Sequence, residues 1–125
     1  MKFKIIIIIQ GVIAVLFGLS FMIVPVMAMA PFLINEPNAD FILLTRMYGS
    51  LDLVVGILCF IFIQISETSI KKRIALTFPV WQIMHIVFFT IGISSGVLTK
   101  SSNVMNVIMV LLATGFITSA IRKEA

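Results

Sequence analysis

Four apolar runs, each close to the length of a membrane crossing and separated by short polar segments, leave this chain few ways to fold. A hydrocarbon core of about 30 Å takes about 20 helical residues to cross, and the runs cover about residues 4–30, 41–65, 75–97 and 103–121. Hydrophobic residues make up 61% of the 125 and charged residues 11%, with a mean hydropathy of +1.22. A soluble domain carries about 25% charged residues, and one small core could not hide this much apolar surface. Lipid must act as the solvent, and in lipid a spanning backbone has to satisfy its own hydrogen bonds. The expected architecture is all-α: an integral membrane four-helix bundle, antiparallel up-down, forming a single transmembrane domain. Little of the sequence is left over for a soluble catalytic domain.

Breaks between the runs carry ordinary turn chemistry. Pro25 and Pro31 bracket the end of the first run, and Asn35-Glu36-Pro37-Asn38 reads as a loop, with Asn38 or Asp40 available to cap the second helix. Ser66-Glu67-Thr68-Ser69 interrupts the apolar pattern before Lys71-Lys72-Arg73. The third run places Pro79 near its first turn and Trp81 at a depth suited to an interfacial anchor. Leu98 to Ser102 then forms a short connection to the fourth run. Ala28-Met29-Ala30 resembles a signal-peptide cleavage site, but the apolar run before Pro25 exceeds the 7 to 15 residues of a signal core, so a retained first span is expected. The five consecutive isoleucines from Ile5 to Ile9 suit a lipid-facing helix, where burial outweighs propensity.

The net charge of +4 and pI near 9.7 describe a topology signal, because the basic residues sit at the ends of apolar runs and form no continuous face. Lys2, Lys4, Lys71, Lys72, Arg73, Arg122 and Lys123 fall on one side of the expected membrane and Lys100 alone on the other. By the positive-inside rule both termini and the middle loop are cytoplasmic, and the expected location is the cell membrane as a multi-pass protein. Nothing in this distribution points to nucleic acid. The single cysteine, Cys59, excludes an internal disulfide and a thiolate metal cage.

Gly11 and Gly18 are seven residues apart, as are Gly49 and Gly56, so each pair occupies one face of its helix. With the two helices running in opposite directions, Gly18 comes level with Gly49 and Gly11 with Gly56, which permits close helix packing. Gly92 and Gly96 fall on a common face of the third helix with Gln82, His85 and Phe89.

The chemistry concentrates in the string from Arg46 to Gly56, RMYGSLDLVVG. An ionisable side chain at membrane depth costs about 2.5 to 3.5 kcal/mol or more, so Asp52, near the expected midplane, needs a partner or a proton. Tyr48 lies one turn before it; Arg46 is six residues away, about 120° round the helix, and suits an interface anchor. His85 is expected within a turn of the same depth, making Asp52 and His85 the acid–base couple available in the bundle. Arg46, Tyr48, Asp52, Gln82 and His85 are therefore the candidates for a ligand or proton site. A buried polar contact that only fixes helix register is the simpler reading of the couple, and independent placement, with one of the two solvated at a subunit interface, is a third. Gln10, Asn106, Thr114, Thr118 and Ser119 can add interhelical hydrogen bonds. One histidine, one buried aspartate and a distant cysteine supply no standard metal set, and neither a phosphate loop nor a nucleophile triad is present.

Through Arg46, Gly49 and Gly56 and its four-span layout, the chain resembles the small four-helix bacterial membrane proteins of the DoxX-like type, whose second helix opens with Arg-x-x-Gly and carries a later glycine. The resemblance implies an accessory membrane subunit near quinone-linked redox chemistry, and it assigns no catalytic residue. Small multidrug exporters have similar length, but their first helix carries a glutamate where this one has only Gln10. The leading expectation is an accessory or interaction subunit without catalysis of its own and without a bound cofactor, partnered by lipid and by itself or another membrane protein. The alternatives are a proton-linked transporter or ligand-binding protein using Asp52 and His85, and a quinone- or lipid-linked redox enzyme subunit.

Overall fold

The computed structural model describes residues 2–121, which are all-helical apart from their connections, with no strand among the described residues beyond one isolated Leu33–Leu98 bridge. Arg122 and Lys123, two of the basic residues in the charge distribution above, lie outside the described residues. The helices are α1 (Phe3–Ile23), α2 (Pro25–Met29), α3 (Ala39–Phe62), α4 (Thr68–Ser94) and α5 (Asn103–Ile121), the last entered through a tight turn at Lys100–Ser102. Four of the segments are long and apolar enough to cross a membrane, the composition of a multi-pass membrane protein.

The first run is two helices instead of one reaching residue 30. Val24 is held at φ −129° and ψ 59°, outside helical geometry, because the ring of Pro25 disfavours the helical conformation in the residue before it. Pro25 then opens α2, where its missing N–H costs nothing. The isoleucine run divides by face: Ile6 and Ile7 are buried, while Ile5 and Ile9 are exposed on the outer face of the helix. Asn38, not Asp40, caps α3, its Oδ1 accepting from the Phe41 N–H at 2.8 Å. Asp40 lies in the first turn, where a carboxylate complements the helix dipole. At the other end the chain leaves α3 after Phe62 through i→i−3 turns at Gln64 and Ile65.

α4 begins at Thr68, well before the apolar run that starts near Ala75. Hydropathy marks where lipid can begin, whereas lysine and arginine are good helix formers, so Lys71-Lys72-Arg73 extend the helix beyond the apolar stretch. Pro79 is consequently inside the helix and not in its first turn. Such a proline is tolerated in a membrane span because neighbouring groups re-satisfy the freed carbonyl. α4 stops at Ser94 in a Schellman turn, with Gly96 at φ 80°, its N–H bonded to the Ile93 carbonyl at 3.2 Å and the Val97 N–H to the Gly92 carbonyl at 3.0 Å.

α1 packs against α3, α4 against α5, and α1 against α5, while α3 and α4 make no extended contact with each other. Glycine sets the α1–α3 approach. A Cβ on Gly18 would stand 2.6 Å from the Leu53 nitrogen and 2.8 Å from the Gly49 oxygen; one on Gly56 would stand 3.0 Å from the Val15 nitrogen and 3.1 Å from the Gly11 oxygen. On Gly11 the first obstacle is the Cys59 Cβ at 3.0 Å. Gly92 and Gly96 do other work: a Cβ on Gly92 meets the Leu98 side chain of its own turn, and one on Gly96 meets nothing within 4 Å. The α4–α5 seam is filled by Phe78 stacked on Phe116 with ring centroids 4.7 Å apart. The two connections that follow α2 and α4 are joined: the Thr99 N–H donates to the Phe32 carbonyl at 2.8 Å and the Ile34 N–H to the Val97 carbonyl at 3.2 Å.

Candidate functional site

Because α3 and α4 make no extended contact, side chains from both line open space between them. Between them lies a lateral groove of about 590 Å³, walled by residues such as Phe41, Leu44, Met84 and Phe88 and floored by Thr45, Tyr48, Trp81 and His85. That volume falls in the range of small-molecule sites, about 300 to 1,000 Å³. Thr45 keeps its hydroxyl bonded to the Phe41 carbonyl, so the polar floor is Tyr48 and His85. Behind it an interior cavity of about 30 Å³ is lined by Gln10, Tyr48, Asp52, Trp81 and His85. It has room for about two water molecules, each needing about 10 to 15 Å³.

The Tyr48 hydroxyl is hydrogen-bonded to Nε2 of His85, and His85 Nδ1 stands 2.9 Å from the Trp81 carbonyl one turn earlier in α4. A carbonyl only accepts, so Nδ1 carries the proton, and Nε2 of the neutral ring accepts from the Tyr48 hydroxyl. The oxygen of Tyr48 then offers its remaining lone pairs to a donor in the groove. If the ring takes a second proton, Nε2–H becomes the donor and the Tyr48 hydroxyl is free to donate instead. One pair can thus meet either a hydroxyl or a carbonyl. Aromatic rings hold it in place on both sides: Phe21 lies 5.8 Å from Tyr48, Tyr48 5.6 Å from His85, and Trp81 4.9 Å from His85, centroid to centroid.

Asp52 is only 7% exposed and lines the same interior cavity as His85, but Tyr48 takes the histidine's Nε2. Among the described residues the Asp52 carboxyl makes neither a hydrogen bond nor an ion pair, so the expected couple is replaced by a Tyr48–His85 pair with the aspartate across a small cavity. Gln82 is fully buried and belongs to a different contact, donating its Nε2–H to Gln10 Oε1 at 2.7 Å while its own Oε1 has no partner. Arg46 is exposed and lines neither space.

Trp81 is half-buried between the helices, and its carbonyl orients His85, so it belongs to the site. Its spacing of four residues from His85 is the sequence signal that points to this role. Gln10 reaches the cavity from α1, which no spacing rule within one helix can show. Among the described residues no three of His, Cys, Asp and Glu converge as a metal site would require. Comparison of the chain with protein-family models, with curated proteins and with solved structures finds no match.

Proposed function

We propose that this protein is a membrane-embedded binding protein for an apolar, chain-bearing molecule with a small hydroxyl or carbonyl head, serving as an accessory subunit without catalysis of its own. The observation that carries the reading is the lateral groove of about 590 Å³ whose apolar walls end on the Tyr48–His85 pair. The walls suit a hydrocarbon tail arriving from the bilayer, and the uncharged floor favours a head that exchanges one hydrogen bond over a phosphate or ammonium. A molecule whose head alternates between hydroxyl and carbonyl uses both states of the pair. Membrane quinols and quinones have that chemistry, and the DoxX-like resemblance points the same way.

The bundle is read as antiparallel up-down in the cell membrane, with both termini in the cytoplasm. The joined connections at Phe32–Thr99 and the level placement of Gly18 with Gly49 and Gly11 with Gly56 support the alternation of direction. The charge distribution supports the orientation.

Trp81 is the only tryptophan in the chain and lines the groove, so its fluorescence reports occupancy. Titrating a short-tailed prenyl quinone into the protein in nanodiscs is expected to quench Trp81 saturably. His85→Gln and Tyr48→Phe should weaken the apparent affinity about three- to tenfold, the equivalent of one hydrogen bond of about 0.5–1.5 kcal/mol. Asp52→Asn, which changes a group outside the groove, should leave the curve within about twofold. Quenching that rises linearly without saturation, or that is indifferent to both groove-floor variants, removes the proposal.

A further inference from the structure

The space between α3 and α4 does not end at Trp81. On the far side of that ring lies a second cleft of about 310 Å³, separate from the groove above, with walls formed by Val55, Leu58 and Phe62 of α3 and by Ile74 and Phe78 of α4. Arg73 and Thr77 supply its polar edge. The Thr77 hydroxyl is committed to the Arg73 carbonyl at 2.8 Å, which leaves the guanidinium as the group with hydrogen-bonding capacity to spare. Among the described residues it has no carboxylate partner. Lys71 and Lys72 precede it on the first turns of α4, so positive charge gathers where the cleft meets the end of the bundle. From Phe62 to Val55 the apolar wall runs seven residues, about 10 Å along the helix axis.

We infer that this cleft is a binding site for one anionic phospholipid, its phosphate held by Arg73 and the start of an acyl chain laid between α3 and α4. A guanidinium presents a planar fork that matches phosphate oxygens bidentately, and basic pockets between membrane helices are where anionic head groups gather. A free phosphate would satisfy the arginine alone and leave the apolar wall unused. A second protein chain would need a carboxylate to meet the Arg73 guanidinium as well as an apolar side chain for the wall, whereas one phospholipid carries both features in a single molecule.

Native mass spectrometry of the full chain released from detergent, with phosphatidylglycerol or phosphatidylcholine of identical acyl chains, tests the assignment. One phosphatidylglycerol is expected to remain bound in preference to phosphatidylcholine. Arg73→Gln should lower its apparent affinity about fivefold or more, from about 1 kcal/mol per basic residue near the surface. Lys72→Gln is expected to change it less, and Leu58→Trp, which fills the cleft at constant charge, should also release the lipid. Thermal melts of each variant distinguish loss of the site from loss of the fold. Equal binding of the two lipids, equal effects of Arg73→Gln and Lys72→Gln, or full displacement by glycerophosphate lacking acyl chains would each overturn the proposal. So would retention of the lipid in a folded Leu58→Trp protein.

Discussion

The polar residues in this bundle are few, and their energetics depend on whether each has a partner. Gln10, 3% exposed, and Gln82, fully buried, join α1 to α4 through one amide hydrogen bond, with Gln82 Oε1 left over. Interhelical hydrogen bonds in membranes average about 0.6 kcal/mol, but stranding a buried amide costs about 1–3 kcal/mol. Gln10→Leu is therefore expected to destabilise by about 1–3 kcal/mol, and the Gln10→Leu, Gln82→Leu double variant to recover most of that loss. Thermal unfolding of the four proteins of the cycle in one detergent measures the coupling; simple additivity would show that the two amides do not depend on each other. The cost of burying charge made Asp52 and His85 legible as residues needing an explanation. The partner of His85 was not, because Tyr48 and Asp52 are one turn apart on the same face of α3, and which of them reaches the ring depends on how α4 is placed beside α3, which neither run contains.

At the level of helices, small residues mark two different devices. Gly18 and Gly49 face each other's backbone, where nothing can step aside, whereas the first atom a Cβ on Gly11 meets belongs to the Cys59 side chain. Gly18→Ala and Gly49→Ala should each cost about 1–3 kcal/mol, as overpacking does, and Gly11→Ala less. Gly96→Ala places a Cβ in open space but keeps a backbone at φ 80°, so about 1–2 kcal/mol of backbone strain is expected there without any change in α1–α3 packing. Unfolding midpoints rank the four variants, and a Gly96→Ala protein as stable as the parent would contradict the Schellman reading. The paired spacing of the first four glycines was readable because two helices repeat it. Gly92 and Gly96 share the helical spacing yet end a helix, and periodicity alone does not distinguish a packing face from a stop. The start of α4 was hidden for a related reason: the helix continues through Lys71-Lys72-Arg73, where the apolar pattern is absent.

For the molecule as a whole, the number of spans follows from run length and composition, while their order in space follows from contacts no single run contains. The connection after α2 and the connection after α4 meet through the Leu33–Leu98 bridge and the Thr99 contacts with Pro31 and Phe32, so they occupy the same end of the bundle. The link between α3 and α4 contains Glu67, one helix length away from each of those connections. In a Cys59→Ala background, the orientation proposed from the charge distribution has Asn35→Cys and Ser101→Cys react together with a membrane-impermeant maleimide added to intact cells, and Glu67→Cys only after permeabilisation. Asn35 and Ser101 are both exposed, so neither reaction requires the bundle to open. Labelling of Asn35→Cys and Ser101→Cys from opposite sides would break the up-down arrangement, because joined connections cannot face two compartments. Joint labelling only after permeabilisation would keep the arrangement and reverse its orientation. The lipid cleft at Arg73 would then face the outer leaflet, and the Tyr48–His85 groove would open toward the inner one.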